Sequence, residues 1–226
     1  MPAIFVTATG TEVGKTYVTA GLIRHYRRHG RRVAALKPVA SGFDPAHVRE
    51  SDPGILLRAL GVPANSDAVA RIAPWRFAAP LSPDLAASRE GRAIDFDALT
   101  GFCRAEIATA DDVLLIEGIG GIMVPLGGRH TVLDWMTALD IPLLVVGGSY
   151  LGAISHMLST VEVLTGRRLN IGAVVLSESA EGTVSLADTA ASVARFVSPI
   201  PITTLPRRDA TENDPVFDAL ANLLIL

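Results

Sequence analysis

Val6-Thr7-Ala8-Thr9-Gly10-Thr11-Glu12-Val13-Gly14-Lys15-Thr16 follows the strand-like run Ala3 to Val6 and opens a helical pattern in which Val18, Leu22 and Tyr26 recur every four residues. A strand, then a loop closing on Gly-Lys-Thr, then a helix is the arrangement that cradles nucleotide phosphates. Backbone N–H groups at the helix start point at the anion, and the helix dipole adds to the attraction. In such a loop Lys15 neutralises the β and γ oxygens, and the Thr16 hydroxyl ligates magnesium. The first glycine of the usual pattern is replaced by Thr9, with Gly10 beside it. Gly-Lys-Thr alone also suits an ordinary helix start. The coincidence of strand, loop and helix argues for nucleotide binding instead.

Outward from this loop, the runs Val33 to Leu36, Val113 to Ile116, Leu143 to Val146 and Gly172 to Leu176 are short and apolar throughout. Such runs suit strands covered on both faces, as in a parallel sheet between helices. The first helical pattern stops near Gly30. Ile154, Leu158, Val161 and Leu164 mark another helix ending near Gly166, and 96–109 and 187–197 are further candidates. The alternation predicts one α/β domain over 1–226, a doubly wound and mostly parallel sheet of the P-loop NTPase type. Its ligands would sit at the carboxyl ends of the strands. The stretch Asp44 to Pro80, with Pro45, Pro53, Pro63 and Pro74, reads as a loop-rich insertion or a lid.

Apolar residues make up 49% and charged residues 19% of the 226, and the net charge is −3. This weakly acidic balance gives no general attraction to nucleic acid or to an anionic membrane, so neither is an expected partner. Cys103 is the single cysteine, which rules out an internal disulfide and a cysteine zinc site. Met1-Pro2-Ala3 leads into the first strand without a basic leader, and no run approaches the roughly 20 apolar residues of a membrane span. A cytoplasmic protein is expected. The basic cluster Arg24, His25, Arg27, Arg28, His29, Arg31 and Arg32 falls in the last turn of the first helix and the loop after it. Cations there favour the helix dipole and stay solvated.

Two further segments carry chemistry. Lys37-Pro38-Val39-Ala40-Ser41-Gly42 follows the strand Val33 to Leu36, and a lysine beside a nucleotide site can stabilise charge on a transferred phosphoryl group. Its ordinary alternative is an exposed loop lysine. Glu117-Gly118-Ile119-Gly120-Gly121 follows the strand Val113 to Ile116 and places an acid where phosphate-loop enzymes hold magnesium. Asp52 precedes Pro53, and local sequence alone favours a helix N-cap there.

Thr11-Glu12-Val13-Gly14-Lys15-Thr16, Lys37 to Gly42 and Glu117 to Gly121, in this order and spacing, resemble dethiobiotin synthetase. The likeness extends to Phe77-Ala78-Ala79-Pro80-Leu81-Ser82-Pro83, to Asp134-Trp135 and to Leu151-Gly152-Ala153-Ile154-Ser155-His156. The resemblance implies a ligase of biotin biosynthesis that uses ATP and magnesium to close the ureido ring of dethiobiotin from 7,8-diaminononanoate and carbon dioxide. One nitrogen forms a carbamate, ATP phosphorylates it, and the second nitrogen attacks the mixed anhydride.

By the same resemblance Lys37 and Lys15 are catalytic, and Thr16, Asp52 and Glu117 surround magnesium. Thr11, Lys37 and Ser41 hold the diamine or its carbamate. Glu12, Val13, Gly14, Lys15, Thr16, Asp52, Glu117, Gly118, Ile119 and Gly120 would meet the nucleotide, with Ser177, Glu178, Leu205, Pro206 and Arg207 near its base. The family is a homodimer in which Leu151, Gly152 and Ser155 reach the substrate tail across the interface. Ala8, Gly10 and Ile119 depart from the family pattern, and Ser177-Glu178 stand where it has an Asn-Asp pair that reads adenine, which leaves base preference open. The alternative is a regulatory ATPase of the MinD and ParA type, although Ala8, Thr9 and Gly10 supply no extra early lysine. A glutamine-dependent amide ligase is disfavoured because Cys103 lies within a predicted helix.

Overall fold

The computed structural model describes residues 3–180, 184–207 and 215–224. The expected domain span of 1–226, and the reading of Met1 and Pro2, therefore reach beyond the described residues. In chain order the elements are β1 (Ala3–Ala8), α1 (Lys15–Arg28), β2 (Val33–Leu36), β3 (Val39–Ser41), α2 (Asp52–Leu60), α3 (Ser66–Ile72) and β4 (Trp75–Phe77). There follow α4 (Pro83–Arg89), α5 (Phe96–Thr109), β5 (Val113–Glu117), β6 (Pro125–Gly127), β7 (His130–Thr131), α6 (Val132–Leu139) and β8 (Leu143–Gly147). The rest are α7 (Ala153–Gly166), β9 (Ile171–Ser177), α8 (Leu186–Val197), β10 (Ile202–Leu205) and α9 (Pro215–Leu224).

The main sheet runs β10-β9-β8-β1-β5-β2, and every neighbouring pair is parallel. β1 lies inside it, with Val6 opposite Glu117 of β5 and Ala8 opposite Val146 of β8. Ile4, Val6 and Ala8 pack with α1, α2 and α9, while Ala3 and Phe5 pack on the other face with residues of α5 to α8. Phe5 meets Trp135 edge to face at 4.8 Å. Both faces are thus dry, which is why these strands read as unbroken apolar runs rather than alternating ones. From β1 the chain crosses to β2 at one edge, and later strands extend the sheet the other way. A crevice opens beyond the carboxyl ends where the direction reverses.

The five expected strands and the four expected helices are all present, as is the doubly wound parallel fold. The stretch 44–80 corrects the sequence reading. It carries a 3-10 turn over Pro45–Glu50, α2, α3 and β4, so it is largely ordered secondary structure. Two of its prolines start helices rather than break them: Pro45 and Pro53 occupy the first turn of their helices, where a missing N–H costs nothing, whereas Pro63 and Pro74 lie in the short connections. β4 pairs in parallel with β3, setting Ser41 opposite Phe77. The Asp134-Trp135 pair has a packing role. The Asp134 carboxylate accepts the Thr131 N–H at 2.8 Å and completes a capping box at the start of α6, while Trp135 covers Phe5.

The basic cluster is only partly solvated. Arg32 pairs with Asp111 and Asp112 at the surface, whereas Arg27 donates to the Ala59 carbonyl at 2.7 Å and His25 is buried. Among the described residues no helix is long and apolar enough to cross a membrane.

Candidate active site

The loop between β1 and α1 turns through two left-handed residues, Glu12 (φ 58°) and Gly14 (φ 95°). Gly14 is the N-cap of α1 and makes no side-chain cap, and the first turn of α1 holds no acidic residue. The positive end of the helix therefore faces the crevice without an anion of its own. A Cβ at Gly121 would stand 3.0 Å from the Thr9 carbonyl, so the glycine allows the turn after β5 to lie against the loop. Lys15 ties the two together, donating to Gly10 O at 2.9 Å and Gly120 O at 3.0 Å. Burial, with Lys37 adding repulsion, lowers its pKa to about 8.

Lys37 directly follows β2 at only 2% exposure, not as an exposed loop lysine. Its Nζ donates to Glu117 Oε1 at 2.8 Å and to Gly118 O at 2.8 Å, and pairs with Asp52 Oδ2 at 2.9 Å. Burial opposes the ammonium form, but Glu117 and Asp52 outweigh it and hold the pKa above its ordinary value. Burial likewise opposes ionisation of Asp52, and Lys37 overrides it and keeps that carboxyl below its usual range. Asp52 is not the helix cap. Ser51 caps α2 by accepting the Gly54 N–H, which frees the Asp52 carboxylate to point into the crevice from the first turn.

Thr16 Oγ1 lies 2.8 Å from both Asp52 Oδ1 and Glu117 Oε1. A hydroxyl has one proton, so it can donate to only one of these carboxylates at a time. Glu117 is fully buried, and its Oε2 has no hydrogen-bond partner among the described residues. Three hard oxygen groups converging with too few protons form a donor set that fits a divalent cation such as Mg2+.

Two clefts share this rim. The smaller, about 410 Å³, brings together Thr11, Lys15, Thr16, Lys37, Ser41 and Asp52, with Ile119 and Gly120 at its edge. The larger, about 1250 Å³, runs from Thr11, Glu12 and Val13 to Ser177, Glu178, Leu205, Pro206 and Arg207. There Glu178 Oε2 accepts the Arg207 N–H at 2.7 Å, and Glu178 N–H donates to Leu205 O at 2.9 Å. The two segments expected near the base thus form one wall. Leu151, Gly152 and Ser155 line neither cleft; they are exposed at the start of α7, with Leu151 81% exposed. Tyr17, Tyr150 and Ser179 line the larger cleft and were not singled out by the sequence reading. Tyr17, directly after Gly-Lys-Thr, was the one with a visible signal.

A family profile described as an AAA domain matches residues 2–214. The chain is 51% identical over 202 residues to the ATP-dependent dethiobiotin synthetase BioD of Acidiphilium cryptum, spanning 89% of this chain and 91% of that one. It is 44% identical over 221 residues to the same enzyme of a Caulobacter species, spanning 97% and 94%. Among solved structures, MinD complexed with Mg-ADP from Pyrococcus horikoshii aligns with a TM-score of 0.53 at 16% identity, over 92% of this chain and 82% of that one. FtsY of Thermotoga maritima gives 0.54 at 15%, over 100% and 68%. At such identities the structural neighbours speak for the fold alone.

Proposed function

The chain belongs to the ATP-dependent dethiobiotin synthetase family, and from that premise we propose that it joins 7,8-diaminononanoate and carbon dioxide with the help of Mg2+. It is an ATP-dependent ligase of biotin biosynthesis. The likeness to MinD is a distant one of fold, so a regulatory ATPase has no specific support here.

The observation that carries the proposal is Lys37, buried at the end of β2 and facing Glu117, Asp52 and the phosphate loop at once. A carbamate and a triphosphate repel each other, and the reaction needs fixed positive charge between them. Lys37 supplies it from the diamine side, beside Thr11 and Ser41. Lys15 supplies it from the phosphate side, at the rim of both α1 and the Gly120 turn. Thr16, Asp52 and Glu117 would hold Mg2+, which when bound offsets charge on the β and γ phosphates. One amine adds to carbon dioxide and loses a proton to give the carbamate. A carbamate oxygen takes the γ-phosphoryl group and ADP leaves. The second amine then attacks the carbonyl carbon and gives up a proton, phosphate departs with its electron pair, and the cyclic urea remains.

Glu12, Val13, Gly14, Gly118, Ile119 and Gly120 contribute the backbone around the phosphates, and Ser177, Glu178 and the 205–207 segment bound the base. Leu151, Gly152 and Ser155 fit a role that requires a second copy of the chain, since they lie outside both clefts; we read the working form as a cytoplasmic homodimer of single-domain subunits.

The test is incubation of purified protein with the diamine, bicarbonate, Mg2+ and each of the four nucleoside triphosphates in turn. Dethiobiotin, ADP and phosphate in equal amounts are expected with ATP. Absence of product with every nucleotide refutes the reading, and the relative rates report what Ser177-Glu178 does to base preference.

A further inference from the structure

At the end of the molecule away from the phosphate loop, α1 finishes against α9 and three metal-ligating side chains meet. His25 and His29 stand one turn apart on α1 and its C-cap, and Asp218 reaches over from α9. One ligand atom from each of the three falls within 4.8 Å of the others.

The ring chemistry suits a metal. His25 is 8% exposed, and its Nδ1 lies 2.8 Å from Asp218 Oδ1. His29 Nδ1 donates to the His25 carbonyl at 2.9 Å, and the lone pair of that ring is therefore on Nε2. A ring N–H donated to a backbone carbonyl is the support that metal-ligating histidines usually have.

We propose that His25, His29 and Asp218 form a binding site for a divalent transition ion of the Zn2+ or Ni2+ kind, which fastens α9 to α1. Two imidazoles and one carboxylate match the ligand preferences of these ions, with a fourth position open to water. Mg2+ and Ca2+ prefer all-oxygen sets and are excluded. Bonds of about 2.0–2.1 Å at tetrahedral angles put ligand atoms about 3.3 Å apart, so the contact between His25 and Asp218 must open by about half an ångström. The Asp218 side chain, half exposed, has room to do so. Arg28 Nη2 shares Asp218 Oδ1 at 3.1 Å, and its charge makes the site weaker than a structural zinc centre built of thiolates.

The staple has a defined target. α9 buries Phe217, Leu220, Ala221 and Leu224 in the core beneath α1, and Phe217 packs against Tyr17, which lines both clefts. Fastening α9 thus steadies a wall of the crevice from behind.

The test uses the full chain, stripped with EDTA and then held in excess Mg2+ to fill the site at Thr16. Zinc chloride is titrated in by calorimetry, and thermal unfolding is followed in parallel. One Zn2+ per chain and a raised Tm are expected. His29→Ala, at an exposed position, and Asp218→Asn should each weaken Zn2+ binding by about tenfold or more with unchanged circular dichroism. Wild-type protein that binds no Zn2+ overturns the proposal. So does unchanged affinity in both variants, or binding lost in Glu117→Gln and retained in His29→Ala.

Discussion

Lys37 Nζ donates to Glu117 Oε1 at 2.8 Å, an ion pair sealed at the junction of β2 and β5 between residues eighty positions apart. Removing the lysine leaves a fully buried carboxylate whose remaining hydrogen-bond donor among the described residues is the Thr16 hydroxyl. Breaking a buried pair from one side typically costs about 3–5 kcal/mol. Lys37→Ala is therefore expected to lower the denaturant midpoint markedly and, under the proposed role, to reduce kcat by at least about 100-fold. Urea unfolding and steady-state kinetics check the two effects separately. Activity that survives in a destabilised variant would limit Lys37 to a structural part.

Glu117→Gln keeps the shape of the side chain and removes its charge. If Glu117 helps hold Mg2+, the concentration giving half-maximal activity should rise by about tenfold or more. The check is an Mg2+ titration at fixed ATP; an unmoved curve removes Glu117 from the metal site.

Asp134→Ala tests the motif that the fold assigns to packing. Loss of the capping box should cost about 1 kcal/mol, with kcat unchanged. Burial opposes ionisation of Asp134, but the hydrogen bonds from Thr131 outweigh it and keep the carboxyl below its ordinary pKa. A carboxyl depressed on folding stabilises above its unfolded pKa, about 3.9, and loses that contribution as pH falls through the folded value. The stability gap between wild type and variant should thus be full at pH 6 and shrink below about pH 4.

Cys103 is wholly buried, and burial, against a smaller opposing contact from Trp135, pushes its thiol up to about 12. At pH 8 an ordinary thiol with a pKa near 8.5 is about a quarter thiolate, against about one part in ten thousand here. A disulfide reagent should label the native chain at least about 1000-fold more slowly than it labels the chain in guanidinium. Prompt native labelling would show that α5 opens readily.

The readable parts of the fold were those where local sequence and burial agree. β1, β5 and β8 are buried throughout, β9 over its inner residues and the edge strand β2 over half its length, and all five announce themselves by unbroken apolar runs. β10 at the sheet edge reads Ile202-Thr203-Thr204-Leu205, half-buried and half-polar, and gave no such signal. The region 44–80 misled because proline marks helix starts as well as loops. Lys15 and Thr16 were legible from adjacent residues, whereas the setting of Lys37 was not: what buries it comes from Asp52 and Glu117, distant in sequence. Ser51 rather than Asp52 proved to be the cap, since a serine and an aspartate before proline are equally good candidates until the carboxylate is given something better to do.

Val6 and Glu117 share a register position between β1 and β5. Val113 and Leu115 face α1 while Leu114 and Ile116 face the opposite layer, so the acid inherits its direction from the parity of the residues before it. A single deletion among those apolar positions would reverse that phase and turn the carboxylate away from Thr16, with no charged or polar residue altered. The chemistry of this crevice is therefore aimed by hydrocarbon: four side chains that touch no reactant act as the sighting line for the one that faces it.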